Sequence, residues 1–148
     1  GSRRYGVEAN LFWRPVTGVV IDAAYSYTDA KLVGPGAGAN AIPGAVPEVI
    51  AVGITVSPLP AFIATARVRH FGSAPLIEDR SVRSDPTTLV NLAGYYDFGA
   101  MRLGVEVFNL FDAQDADITY FYESRLPGEA SGVEDPHFHP VEPRQVRA

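Results

Sequence analysis

Apolar and polar residues alternate with a period of two through most of this chain, in segments of about ten residues separated by turn-forming clusters. In "YGVEANLFW" the residues Tyr5, Val7, Ala9, Leu11 and Trp13 share one face, with Gly6, Glu8 and Asn10 on the other. "VVIDAAYSYTDA" groups Val19, Ile21, Ala23, Tyr25 and Tyr27 against Asp22, Ser26 and Thr28. "EVIAVGITVS" sets Ile50, Val52, Ile54 and Val56 against Ala51, Gly53 and Thr55. "AFIATARVRHFG" places Phe62, Ala64, Ala66 and Val68 opposite Arg67 and Arg69. "TTLVNLAGYYDF" aligns Val90, Leu92, Gly94, Tyr96 and Phe98 against Asn91, Ala93, Tyr95 and Asp97, and "MRLGVEVFN" aligns Met101, Leu103, Val105 and Val107 against Arg102 and Glu106. The pattern predicts an all-β, antiparallel chain.

The predicted connections alternate in length: short at 15–18, long at 31–47, short at 58–60, long at 72–86, short at 97–100. An up-and-down transmembrane barrel is wired this way, with tight turns at one membrane surface and long loops at the other. The second face of these strands carries Arg67, Arg69, Arg102 and Glu106, which need water or polar partners. Trp13, Tyr25, Tyr27, Tyr95, Tyr96 and Phe98 fall near strand ends, where an interfacial aromatic girdle belongs. A soluble β-sandwich also leaves faces wet and is the rival reading, as is a small self-contained outer-membrane barrel of about eight strands, a pore or an enzyme.

The wiring makes a specific demand on 101–123. A chain leaving the short turn near Gly99 must cross to the side of the long loops, so this stretch is predicted to be one ascending strand. "NLFD" within it is then a bulge or kink, with Asn109 and Asp112 bonding to nearby backbone. "SRLPGEASGVEDP" becomes the next long loop.

Composition sharpens the picture. With 47% hydrophobic and 20% charged residues the chain is not disordered, and fourteen Gly with twelve Pro suit many turns. A net charge of −5 and a single Lys argue against a nucleic-acid partner. The chain has no cysteine, which removes disulfides and thiolate metal sites. No apolar run is long enough for a membrane helix, and no signal peptide is visible at the N-terminus.

With "VFNLFD" the chain resembles the C-terminal region of TonB-dependent outer-membrane receptors. "AAYSYTDAKL", "NAIPGAVPEVIAVGITVSP", "VRHFGSAPLIED", "TTLVNLAGYYDF", "FYESRLPGE" and "DPHFHPVEPRQVR" are similar to that region in the same order. The resemblance covers roughly Gly6 to Arg147 and rests on order and spacing together. It implies about seven strands of a plugged barrel of about 22. Residues 1–148 are expected to be the C-terminal portion of that barrel, with the last strand incomplete and the plug domain outside this chain. The implied function is energy-coupled uptake, in the bacterial outer membrane, of a scarce small-molecule nutrient such as an iron–siderophore or other metal complex. Cobalamin and carbohydrates are also taken by such receptors. The implied partners are outer-membrane lipid, the plug and remaining strands, and the TonB complex acting through the absent N-terminal region. No enzymatic role and no cofactor are expected.

The candidate contact residues lie on loops and in the lumen. Arg80 and Arg83 in "EDRSVRSD", and Arg125 and Glu129 in "ESRLPGEASGVED", sit on predicted outer loops, where ligands meet polar side chains held by a rigid wall. His137 and His139 in "HFH" share a strand face at a spacing that lets two imidazoles reach one metal. Zinc needs about four ligands and only Glu134, Asp135 and Glu142 are close in sequence, so two partly exposed histidines at a strand end is the favoured reading and no metal site is expected. Arg67, Arg69, Arg102 and Glu106 are expected to face the lumen and pair with the plug or one another. Ser124 or Ser131 with His137 could be drawn as a rim hydrolase, but no recognised nucleophile motif supports it.

Overall fold

The computed structural model describes residues 1–34 and 39–148. The middle of the predicted Gly/Pro loop, 35–38, lies outside them. Among the described residues nine strands run in chain order: β1 (Ser2–Trp13), β2 (Val19–Leu32), β3 (Glu48–Leu59), β4 (Phe62–Phe71), β5 (Thr87–Phe98), β6 (Met101–Phe108), β7 (Ala116–Ser124), β8 (Val133–Pro140) and β9 (Gln145–Arg147). No helix occurs among the described residues. Seven strands form one antiparallel sheet in the order β1-β2-β3-β4-β5-β6-β9, and β7 pairs with β8 in a separate two-stranded sheet. The sheet is open: β1 and β9 are its two edges, so the barrel is not closed within this chain.

Register carries the alternating pattern across the whole sheet. Trp13 lies opposite Ile21, and the row continues through Ile54, Ala66, Leu92, Val107 and Val146. This face is apolar and uncovered: Val7 is 63% exposed and Leu103 60%. Among the described residues the buried hydrophobics are Ala41, Ala74, Leu76 and Val141, and no large side chain is fully buried. A soluble sandwich hides one face of each sheet under the other. Here one layer stands with its apolar face open, as a lipid-facing wall does.

The small core sits at the end of the long loops. The β2–β3 and β4–β5 loops bond to each other, Ala41 N–H to Glu78 O at 2.8 Å and Gly44 N–H to Pro75 O at 2.8 Å. Ala74 and Leu76 are buried there. At the opposite end the connections are tight. Gly99 takes a positive φ of 67° between the paired Phe98 and Met101, as the first central residue of a II′ hairpin turn requires.

Three expectations need correction. Strands run longer than the pattern indicated: β1 starts at Ser2, β2 reaches Leu32 and β3 reaches Leu59, because ladder pairing persists into polar and proline-bearing ends. The segment 101–123 is not a single strand. It is split into β6 and β7, which belong to different sheets, and the expected last strand is likewise split into β8 and β9. Tyr95 is not part of the girdle, because parity puts it on the Glu106 face, where its hydroxyl donates to the Glu106 carboxylate. Tyr96 and Phe98 do sit together at the tight-turn end, ring centroids 4.6 Å apart.

The split at "NLFD" is a hydrogen-bonded turn. Asp112 N–H donates to Asn109 O at 2.9 Å, and both residues are left-handed, with φ of 54° and 47°. Asn109 Oδ1 accepts from Ala113 N–H at 2.8 Å. The expected local side-chain bonds are therefore present. Beyond the turn the chain keeps its direction along β5: Leu110 N–H reaches Val90 O, Thr88 N–H donates to the Asp115 carboxylate, and the Thr87 hydroxyl donates to Ala116 O.

Candidate functional site

The polar face of the sheet is built around glycines that let side chains cross a strand. Asp22 on β2 and Arg67 on β4 form an ion pair at 3.3 Å over Gly53 of the strand between them. A Cβ at Gly53 would fall 2.6 Å from the Asp22 carboxylate, so glycine keeps the path open. Tyr95 on β5 lies over Gly104, its partner on β6, and reaches Glu106 two residues further along β6. Thr55 and Thr65 bond at 3.3 Å in the adjoining row. Arg69 shares this face, opposite Ala51, and makes none of the ion pairs seen among the described residues. Arg102 pairs in two-pronged fashion with Asp97 across the tight hairpin, at 2.6 and 2.9 Å. Thus two of the four predicted lumen residues are tied to acids of this chain, and Glu106 to a tyrosine.

At the long-loop end the six predicted loop residues divide. Arg83, Glu129 and His137 come together around a groove of about 640 Å³ between the β4–β5 loop and the β7–β8 hairpin. Ser84, Asp85, Asp115, Ser124 and Asp135 add polar groups, and Leu126, Val133 and Phe138 add apolar walls. Arg80, Arg125 and His139 do not line it.

Arg83, Glu129 and His137 are each held by neighbouring groups of their own loop or hairpin. The Arg83 guanidinium donates to Ser73 Oγ at 3.0 Å and Ser73 O at 2.6 Å, fixing the root of the β4–β5 loop. Glu129 Oε2 accepts from Leu126 N–H at 2.7 Å, which closes the β7–β8 turn. His137 faces Tyr120 across the hairpin and stacks on Tyr122, centroids 4.0 Å apart and planes 16° from parallel. Its Nε2 is buried and has no partner in the protein. That nitrogen is the one unsatisfied buried side-chain polar atom among the described residues.

Of the other three predicted loop residues, Arg80 and Arg125 shape loops. Arg80 takes φ of 67° and donates to Asn40 Oδ1 at 3.0 Å, joining the two long loops. Beside it, Ser81 donates its backbone N–H and its hydroxyl to Asp79 Oδ1, and these bonds hold the Asp79 carboxyl below its ordinary range. Arg125 donates to Glu129 O at 3.0 Å. His139 is exposed, opposite Ile118. No group of three or more metal-binding side chains exists among the described residues. Sequence reasoning missed Asp85 and Asp115 as groove residues; only loop packing brings them beside Asp135.

The sequence matches no protein-family model and no curated protein. The fold does match solved structures. The ferric yersiniabactin uptake receptor FyuA from Yersinia pestis aligns with a TM-score of 0.73 at 18% identity, covering 98% of this chain and 22% of that one. The siderophore receptor PiuA from Acinetobacter baumannii gives 0.73 at 16% identity, covering 98% and 21%. The ferric-catecholate import receptor Fiu from E. coli K12 gives 0.69 at 15% identity, covering 98% and 20%. The chain thus has the fold of a receptor-barrel segment, and it spans about a fifth of the length of the structures it matches.

Proposed function

We propose that this chain is the C-terminal barrel portion of a TonB-dependent receptor of the bacterial outer membrane, a receptor that binds a scarce nutrient outside and imports it through a plugged lumen. The observation that carries the reading is the single seven-stranded sheet with an uncovered apolar face, tight turns at one end and packed polar loops at the other. Lipid covers the apolar face, and the remaining strands complete the wall. The polar face lies toward the lumen and its plug, with Arg67, Arg69, Arg102 and Glu106 on it. The groove of Arg83, Glu129 and His137 faces outward and contributes ligand contacts. An iron–siderophore or another metal complex is the ligand class this reading favours, since one named neighbour is described as a siderophore receptor and the other two as a ferric yersiniabactin uptake receptor and a ferric-catecholate import receptor. Import would be driven by the TonB complex acting on the plug, and no covalent step is required of these residues.

The test is the mass and location of the native protein. An antibody to the loop 124–136 should detect an outer-membrane band several-fold heavier than the 15.9 kDa of this chain. That protein should take up radiolabelled ferric chelate in a TonB-dependent manner. A band near the chain's own mass would instead support a small self-contained barrel.

A further inference from the structure

Two strands of the sheet break at the same level, and one side chain lies between the breaks. β6 stops at Phe108 and β7 starts at Ala116, while β8 stops at Pro140 and β9 starts at Gln145. Asn109 is only 4% exposed and spends its whole side-chain amide on this junction. Its Oδ1 accepts from Ala113 N–H, and its Nδ2 donates to Ala113 O and to Glu142 O, both at 3.0 Å. Its backbone N–H donates to Asn91 Oδ1 on β5 at 2.9 Å. Three residues on, Asp112 Oδ1 accepts from Arg144 N–H at 2.9 Å. The turn thus grips β5 on one side and the 142–144 segment on the other.

The 142–144 segment leads directly into β9, whose hold on the sheet is slight. Only three positions pair, Glu106 with Arg147, Val107 with Val146 and Phe108 with Gln145. A three-residue strand with one apolar side chain specifies its register weakly, because a two-residue slip keeps every side chain on its own face. The bonds to Glu142 and Arg144 do not permit such a slip, since each fixes one backbone atom immediately upstream of the pairing.

We infer that the Asn109–Asp112 turn is a register clasp: it selects the alignment of β9 on β6 and so sets where the strand after the β7–β8 loop joins the wall. Asn109 and Asp112 are positioning residues in this role, and their left-handed backbones explain why these two residue types occupy the turn. The inference rests on the barrel fold and holds whatever ligand the outer groove takes.

Disulfide trapping in the full-length protein, in native outer membranes, reads the register directly. This chain has no cysteine, so introduced thiols report without background from it once any elsewhere in the protein are replaced. Val107→Cys with Val146→Cys should cross-link under mild oxidation, because these residues are directly opposed, and Val107→Cys with Ala148→Cys should not. Adding Asn109→Gly keeps the positive φ accessible while deleting the clasp. The 107–146 yield should then fall about fivefold or more, as loss of net hydrogen bonds on one side of a competition predicts. Growth of the slipped 107–148 product would support the clasp further. Asp112→Gly should give the same change more weakly, and Phe111→Ala, altering a 74% exposed side chain in the same turn, should give none. If Asn109→Gly and Asp112→Gly fail to accumulate in the membrane while Phe111→Ala does, the clasp is needed for assembly and the inference stands. Wild-type 107–146 yield in both glycine variants, or failure of all three variants alike, overturns it.

Discussion

Gly6, Gly53 and Gly104 each sit where a neighbouring group comes close to the backbone, yet the group differs, and so should the cost of a methyl group. At Gly6 a Cβ would meet the Tyr27 carbonyl oxygen of the paired strand, which cannot leave without breaking the β1–β2 ladder. At Gly53 it would meet only the Asp22 carboxylate, the mobile end of a side chain. Gly6→Ala is expected to destabilise the barrel by about 1–3 kcal/mol, the usual range for overpacking. Gly53→Ala should displace Asp22 and cost no more than the about 0–1 kcal/mol typical of an exposed ion pair. Urea midpoints of the folded, heat-modifiable band in detergent would separate the two. Asp79 gives a pH prediction in the β4–β5 loop. Its folded pKa is lowered, first by the Ser81 backbone N–H and then by the Ser81 hydroxyl. Its contribution to loop order is therefore present above about pH 4, the ordinary aspartate range, and is lost as pH falls through the lowered folded value. Pepsin nicking within 77–84 should rise over that acid window in the wild type. Asp79→Ala should be nicked to the higher level throughout, and equal nicking of the two proteins at pH 5 would refute the assignment.

At the scale of elements, the β7–β8 hairpin stands apart from the strands around it. It pairs only with itself, and it joins β5 through the Thr87 and Thr88 bonds to Ala116 and Asp115. Two-stranded ribbons are marginal without further pairing, and local opening costs least where few neighbours must be broken. Amides of 116–124 and 133–140 should accordingly exchange with deuterium well before those of β3 and β4 in the detergent-folded full-length protein, as mass spectrometry of peptides would show. Simultaneous protection of both regions would contradict a separate hairpin. The same hairpin marks the limit of what could be read from sequence. β1 to β6 were legible because period two, Gly/Pro turns and alternating loop lengths all agree there. The break after Phe108 was legible as a turn-like cluster but not as a change of sheet. Leu110 N–H still reaches Val90 O and Thr88 N–H the Asp115 carboxylate, so the chain runs on beside β5, and the apolar–polar alternation on either side of the turn hides the interruption. The site was legible unevenly for related reasons. Arg102 with Asp97 could be foreseen from two charges flanking a hairpin turn. The meeting of Arg83 with Glu129 and His137 depends on loop packing between distant elements, which periodicity does not encode. Tyr95 lies near a strand end yet faces Glu106, because parity and not nearness to the end sets its face.

For the whole molecule the decisive quantity is the surface left without a partner. Large apolar side chains are exposed on β1, β2, β3, β5, β6 and β9, and the sheet ends in open edges at β1 and β9. In hydrocarbon an unpaired backbone N–H or C=O costs several kcal/mol, so lipid alone does not satisfy these edges. In water the edges and the apolar face together favour association. The chain expressed by itself should therefore form aggregates in plain buffer and mixed oligomers in detergent, measurable by light scattering on a size-exclusion column. Strands supplied in trans, as a separately expressed remainder of the barrel, should convert it to a discrete, protease-resistant complex during refolding. Deuterium protection would then appear on β1 and β9, the edges that gain neighbours, while β3 and β4 change little. A monodisperse monomer in buffer with one cooperative unfolding transition would remove the membrane-wall reading altogether, since that behaviour requires a second layer over the apolar face.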